Sequence, residues 1–302
     1  MEITPIVLMN TLLQNVQTQY QRIGQLQEEA STGQRFQVPS DSPSRVTATM
    51  NLNTALAQTK AYETAATQAQ NWLNTTSGAL QNMQQIWQNV LNIAVEASNN
   101  TLTPTDRTAL TIQVQQAQKA LAQLLNTRYE GIYIFSGYNS QTPPISCSGT
   151  TCTTNFPTSQ QLQIFQIGES SSVTVNLTGN ENVGQTSGSN YFETIYNDLG
   201  KLATAIQTGA SATNQMILTL KTDQGYLSTA QSIVGGRLER VNQTKTQLQS
   251  LSFNLNQTIA QISGANMASV TVQLAQEEQA YQAALQSGAQ ILPLSLLNFI
   301  HP

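Results

Sequence analysis

Cys147 and Cys152 enclose four residues in a Ser/Gly-rich stretch and are the only two cysteines among 302 residues. Two sulfurs at that spacing can close a small disulfide ring, remain as free thiols, or supply half of a tetrahedral metal site. The metal option ranks last, because no further Cys and no nearby His completes the ligand set. The single histidine, His301, is the penultimate residue, so a catalytic triad or multi-histidine centre has no material and His301 reads as an incidental tail residue. Asp41 lies between Pro39 and Pro43, where a carboxylate most often accepts from its own backbone. Arg35 and Arg45 flank it; exposure to solvent is their default, with an ion pair to an acid of another chain as the rival reading. Gly235-Gly236 alone is a weak phosphate-cradle signal, and the carboxylates form no recognisable acid-base pair. These residues point to a non-enzyme with no cofactor and no metal.

Other residue types that often carry binding have blander readings. Trp72 and Trp87 fall about four turns apart on one predicted helix, where packing outweighs ligand stacking. Asn74, Asn176, Asn242 and Asn256 begin Asn-Xaa-Thr triplets, which chance supplies in a chain so rich in Asn and Thr. Only 9% of residues are charged, against roughly 25% in an ordinary soluble domain, and Gln, Asn, Thr and Ser take their place. Twelve scattered basic residues and a net charge of -4 give no footprint for nucleic acid. Few carboxylates change state on acidification, so such a surface suits an acidic or variable medium. The start, Met1-Glu2-Ile3-Thr4-Pro5, lacks the features of a cleaved secretory leader, and the most apolar stretch, Ile291 to Ile300, is about half the length a membrane span needs.

The elements that carry these residues are mostly helical. Met9, Leu13, Val16, Tyr20 and Ile23 alternate four- and three-residue steps, the seam of a coiled coil, and are expected to form an assembly interface with neighbouring subunits. Their helix is expected over about Thr4 to Thr32, ending at Gly33. Ser42 and Pro43 open a second long helix, in which Leu73, Thr76, Leu80, Met83, Trp87, Val90 and Ala94 form a narrow buried seam. Thr103-Pro104-Thr105-Asp106 starts a third, reaching about Thr127. After Phe135 the texture turns to Gly, Pro, Ser and Thr, with two alternating runs, Leu162, Ile164, Ile167 and Val173, Val175, Leu177. A capping box at Asn190 to Glu193 restores helix, with Phe192, Ile195, Leu199, Leu202 and Ile206 on one face. A heptad series follows, Val234, Val241, Leu248, Leu255 and Ile262, with Gly225, Gly235, Gly236 and Gly264 expected to break the helix. Leu294, Leu296, Leu297, Phe299 and Ile300 are read as lying beyond the last helix, an uncharged apolar cluster that packs on other subunits rather than on its own chain.

Several blocks carry a resemblance. Ser31-Thr32-Gly33-Gln34-Arg35 with Pro39-Ser40-Asp41-Ser42-Pro43, Asn71-Trp72-Leu73-Asn74-Thr75-Thr76 and Leu102-Thr103-Pro104-Thr105-Asp106-Arg107 stand in this order. Asn126 to Gly137, reading NTRYEGIYIFSG, is the most discriminating; Val234 to Glu239 and Leu294 to Ile300 complete the set. Together they resemble the flagellar hook-filament junction family, FlgL, the third hook-associated protein and a relative of flagellin. Ser42 stands where that family usually has Asp, and Glu2 where it usually has Arg.

The resemblance implies a mainly α chain folded back on itself: an antiparallel coiled-coil or helical bundle formed by both chain ends, elongated, with a small β-rich inserted domain. Residues 1–42 and 270–302 would form a terminal coiled-coil layer, 43–137 and 190–269 a helical layer, and 138–189 the insert. It further implies a structural adaptor outside the cell, assembling with copies of itself in a ring between the hook-side junction protein and flagellin. An export chaperone before assembly is also implied. Flagellin itself and a secreted coiled-coil adhesion module are the alternatives.

Overall fold

In a computed structural model of the chain, the described residues are 5–36, 38, 40, 42–137, 141–148, 151–156, 162–177, 179 and 190–300. Side chains are described for all of these except 5, 6, 8, 148, 151 and 290–300. Among the described residues the protein is mainly α, with six helices and three two-stranded antiparallel ladders. Two compact units divide it, residues 1–58 with 252–302 and residues 59–251.

In the first unit, α1 (Pro5–Thr32) runs antiparallel to α6 (Met267–Ile300). Gly33 ends α1 with φ 68°, its N–H donating to the Glu29 carbonyl at 2.9 Å. The chain then pairs with the turn before α6: Arg35 N–H donates to Ser263 O and Ala265 N–H to Gly33 O, both at 2.8 Å. Gly264 is required in that turn, since a Cβ there would lie 2.3 Å from the Ala260 carbonyl oxygen.

The second unit holds the larger core. Within α2 (Pro43–Ala97), all seven seam residues from Leu73 to Ala94 are buried. Thr76 keeps its place in that seam by donating its hydroxyl to the Trp72 carbonyl at 3.0 Å. Facing α2 is α5 (Ala210–Ser263), with Leu220, Leu227, Val234, Val241 and Leu248 buried at heptad spacing. Polar rungs join them: Trp87 Nε1 donates to Leu220 O at 2.8 Å, and Gln70 donates to Asn242 Oδ1 at 2.7 Å while accepting from Lys245 Nζ at 2.9 Å. The Trp87 bond satisfies the one polar atom of a wholly buried side chain.

α3 (Pro104–Leu125) begins at the expected start, and Thr103 and Asp106 exchange bonds there as a capping box. At α4 (Tyr191–Thr208) the box is one-sided: Asn190 Oδ1 accepts from the amides of Phe192 and Glu193, but Glu193 turns away to accept from Thr154 Oγ1 at 2.6 Å. The glycine breaks are also fewer than expected. Gly225, Gly235 and Gly236 lie inside a continuous α5, exposed and facing open space, so burial of the heptad face outweighs their weak helix propensity.

The strands are short. β1 (Arg128–Tyr129) and β2 (Ile132–Tyr133) form a hairpin around Glu130 and Gly131, both at positive φ, as a two-residue primed turn requires. β3 (Ile145–Ser148) pairs with β4 (Thr151–Thr154), and β5 (Ile164–Gln166) with β6 (Ser172–Thr174). Val173, Val175 and Leu177 are buried as their alternation suggested. The earlier run has the opposite phase: Leu162 and Ile164 are exposed and Phe165 half-buried, and the chain turns inward again only at Ile167.

Candidate assembly surface

The apolar residues of α1 fall into two adjacent stripes. Leu12, Val16, Gln19, Ile23 and Leu26 turn toward α6, which answers with Val270, Leu274, Glu277, Tyr281, Ala284 and Gly288, again at four-three spacing. Gly288 leaves room for Leu12; a Cβ there would be 2.7 Å from Leu12 Cδ2. Tyr20 and Tyr281 rings lie 6.2 Å apart, and Arg22 pairs with Glu277 at 3.3 Å. This seam is thin in large apolar side chains, and the buried Gln19 Oε1 has no partner.

The second stripe is the solvent-facing one. Met9, Leu13 and Tyr20 are 37%, 58% and 66% exposed, with Val7 on the same helix also exposed. Of the five residues spaced along α1 in the sequence, the structure therefore covers Ile23, half-covers Val16 and leaves Met9, Leu13 and Tyr20 open. The distinction escapes a heptad count because Leu12 and Leu13 are neighbours, and each can begin a four-three series. The cluster Leu294, Leu296, Leu297, Phe299 and Ile300 lies within α6 rather than after it, since Pro293 leaves the helical backbone continuous; its side chains fall outside the described residues. Asp41 and His301 fall outside them too, and Arg35 and Arg45 are exposed.

Cys147 and Cys152 face each other across β3 and β4 and are joined as a disulfide, S–S 2.05 Å. The neighbouring block, Asn126 to Gly137, does structural work. Asn126 clamps β3 by donating to Ile145 O at 2.7 Å and accepting from Ile145 N–H at 3.0 Å. Arg128 lies over the Tyr133 ring, 4.2 Å from its centre, and hydrogen-bonds the phenol oxygen. Ile134 and Phe135 are wholly buried, and Tyr129 meets Trp72 edge to face at 5.5 Å. Arg107 gathers three carbonyls, those of Ala97, Asn99 and Ile206, at 3.3 to 3.4 Å. Two of these end helices, where a cation is favoured.

Electrostatics is sparse. Hydrogen bonds from Thr103 hold the Asp106 carboxyl below its usual range, and burial raises the Tyr196 phenol. The exception is a pair of carboxyls that the sequence reading missed, Asp198 on α4 and Asp223 on α5, both buried. Asp198 accepts from Lys201 Nζ at 2.7 Å, whereas Asp223 Oδ2 has no partner. Burial, and then Asp198 beside it, push the Asp223 carboxyl up to about 7. A signal existed: Asp223 sits between Leu220 and Leu227 on the buried face of α5. Among the described residues no group of three or more His, Cys, Asp or Glu could hold a metal, and no helix is long and apolar enough to cross a membrane.

The helical stretch that runs from α1 to the β1–β2 hairpin is similar to a known one: residues 4–140 match the bacterial flagellin N-terminal helical region. The relatives sharpen this. Flagellar hook-associated protein 3 of Escherichia coli (strain K12) is 35% identical over 133 residues, 44% of this chain and 41% of that protein. The Salmonella typhimurium protein of the same name is 32% identical over 131 residues, covering 43% and 40%. The chain thus spans about two fifths of the length of the curated relatives it matches. In fold, it is similar to a putative flagellar hook-associated protein from Vibrio parahaemolyticus, with TM-score 0.65, 14% identity and coverage of 74% of this chain and 100% of that one. Flagellar hook-associated protein-3 from Legionella pneumophila gives TM-score 0.56 and 15% identity over 70% and 98%. Over somewhat more than two fifths of its length, then, the chain is similar in sequence to flagellar hook-associated protein 3, the family that the connector and the Asn126 block resemble.

Proposed function

We propose that the chain is a non-enzymatic structural adaptor of the flagellum, exported and assembled outside the cell at the junction between hook and filament. The observation that supports it most is the 35% identity to hook-associated protein 3. In this reading, copies stand side by side in a ring, with the hook-side junction protein below and flagellin above, and residues 1–42 with 270–302 form the innermost layer. Residues 43–137 with 190–269 form the next layer, and 138–189 lie outermost. The open stripe of Met9, Leu13 and Tyr20 on α1, together with Leu294, Leu296, Leu297, Phe299 and Ile300, packs against neighbouring copies. Burying each large apolar side chain is worth roughly 1.5 to 3 kcal/mol, repeated at every contact around the ring. A chaperone would cover the same residues before export.

The test is complementation in cells that lack their own junction protein. The full chain should restore filaments, and a chain ending at residue 293 should not, although its second unit still unfolds at the full-length temperature. Normal filaments from the shortened chain would remove the C-terminal cluster from the interface. The flagellin-type match over residues 4–140 also favours a second reading, a filament subunit. Seeded growth separates the two, because a filament subunit adds indefinitely to a seed and an adaptor stops at one layer.

A further inference from the structure

We propose that Asp198 and Asp223 form a proton-loaded clasp between α4 and α5, which holds the second unit closed in acid and loosens it above neutrality. The inference is independent of the adaptor reading. Asp198 is 2% exposed and Asp223 1%, so neither carboxyl can be solvated in place. One ammonium, Lys201 Nζ, serves the pair, and it is already committed to Asp198 Oδ1 at 2.7 Å. The second carboxyl must therefore be neutralised by something other than a side chain. A proton on Asp223 does this and gives its orphaned carboxyl an O–H to donate toward Asp198, which lines the same cleft. One bound proton thus converts a repulsion between two helices into an attraction.

The surroundings are otherwise neutral. A cleft of about 290 Å³ over the pair is lined by Thr194 from α4 and by Leu218, Thr219, Thr222 and Tyr226 from α5. Tyr226 and Lys201 are the titratable groups beside the pair, and the charges acting on Asp223 are those of Asp198 and Lys201. When the proton leaves, two carboxylates share one ammonium in a buried site, and relief comes only by admitting water through the cleft or by parting the helices.

The sign follows from linkage. The folded-state value of about 7 lies above the ordinary 3.8, so between them the folded protein binds more protons than the unfolded chain. Stability from the clasp is complete below the lower value and lost as pH rises through the upper one. For the full chain, the folding equilibrium constant should fall about thirty-fold between roughly pH 5.5 and 8.5. Urea unfolding at a series of pH values reads this directly. Asp223→Asn keeps a donor toward Asp198 without a proton to lose, and should flatten the profile while preserving stability at alkaline pH. In unaltered protein, the Asp223 carboxyl carbon should titrate near neutrality by NMR, and Asp198→Asn should move that titration downward. The same pH slope in Asp223→Asn as in the unaltered chain, or an Asp223 resonance that titrates in the ordinary carboxylate range, would overturn the proposal. So would an unfolding midpoint that shifts with EDTA, because a metal cation would then be holding the carboxyls together.

Discussion

Arg107 shows what a lone charge does in a chain with so few. Its guanidinium reaches the last carbonyl of α2, the Asn99 carbonyl just past it and the Ile206 carbonyl in the last turn of α4. Charged donors at helix C-termini interact with both the free carbonyls and the negative end of the dipole. The bonds are long, so Arg107→Ala should cost about 1 to 2 kcal/mol in urea unfolding. Arg107→Lys should recover less than half, because a single ammonium cannot span three acceptors as the planar fork does. If Arg107→Ala leaves the midpoint unchanged, the three contacts are incidental. None of this was legible beforehand: the Thr103 to Asp106 cap announced the helix start, but the partners of Arg107 come from elements up to 99 residues away. The buried carboxyls were partly legible, since Asp223 interrupts an apolar heptad. Asp198 lies three residues before the Lys201 that pairs with it, a spacing that looks like an ordinary exposed helix pair.

At the level of elements, caps and periodicity were reliable where one face had one partner. α2 has a single seam, and every residue assigned to it is buried. α1 has two, and periodicity alone cannot tell which one the chain itself covers. The glycines of α5 failed for a different reason: propensity is a local weight of about 1 kcal/mol per residue, and a long buried face outweighs it. That weight remains available. Gly235 and Gly236 are helical, exposed and meet nothing where a Cβ would stand. Gly235→Ala and Gly236→Ala should each therefore raise stability by about 0.5 to 1 kcal/mol, mainly by restricting the unfolded chain. A loss of stability in either variant would mean that the helix bends at this point in solution.

For the molecule as a whole, composition was the most truthful guide. A chain with 9% charged residues builds its contacts from amides, hydroxyls and apolar seams. Gln70 bridging Asn242 and Lys245, Gln231 donating to Ser77, and Gln118 donating to the Tyr196 carbonyl are the cross-links that Lys and Glu would supply elsewhere. Just two ion pairs occur among the described residues, Arg22 with Glu277 and Lys201 with Asp198. The Arg22 pair lies largely open to solvent, and such pairs are worth little and weaken as dissolved ions screen them over about 10 Å at 0.1 M; the Lys201 pair has its carboxylate buried. Amide bonds and apolar contacts have no such sensitivity. The unfolding temperature should accordingly stay nearly level from about 10 mM to 0.5 M sodium chloride, which a calorimetric series at pH 6 would check. A protein held together this way is indifferent to whether its surroundings are fresh or brackish.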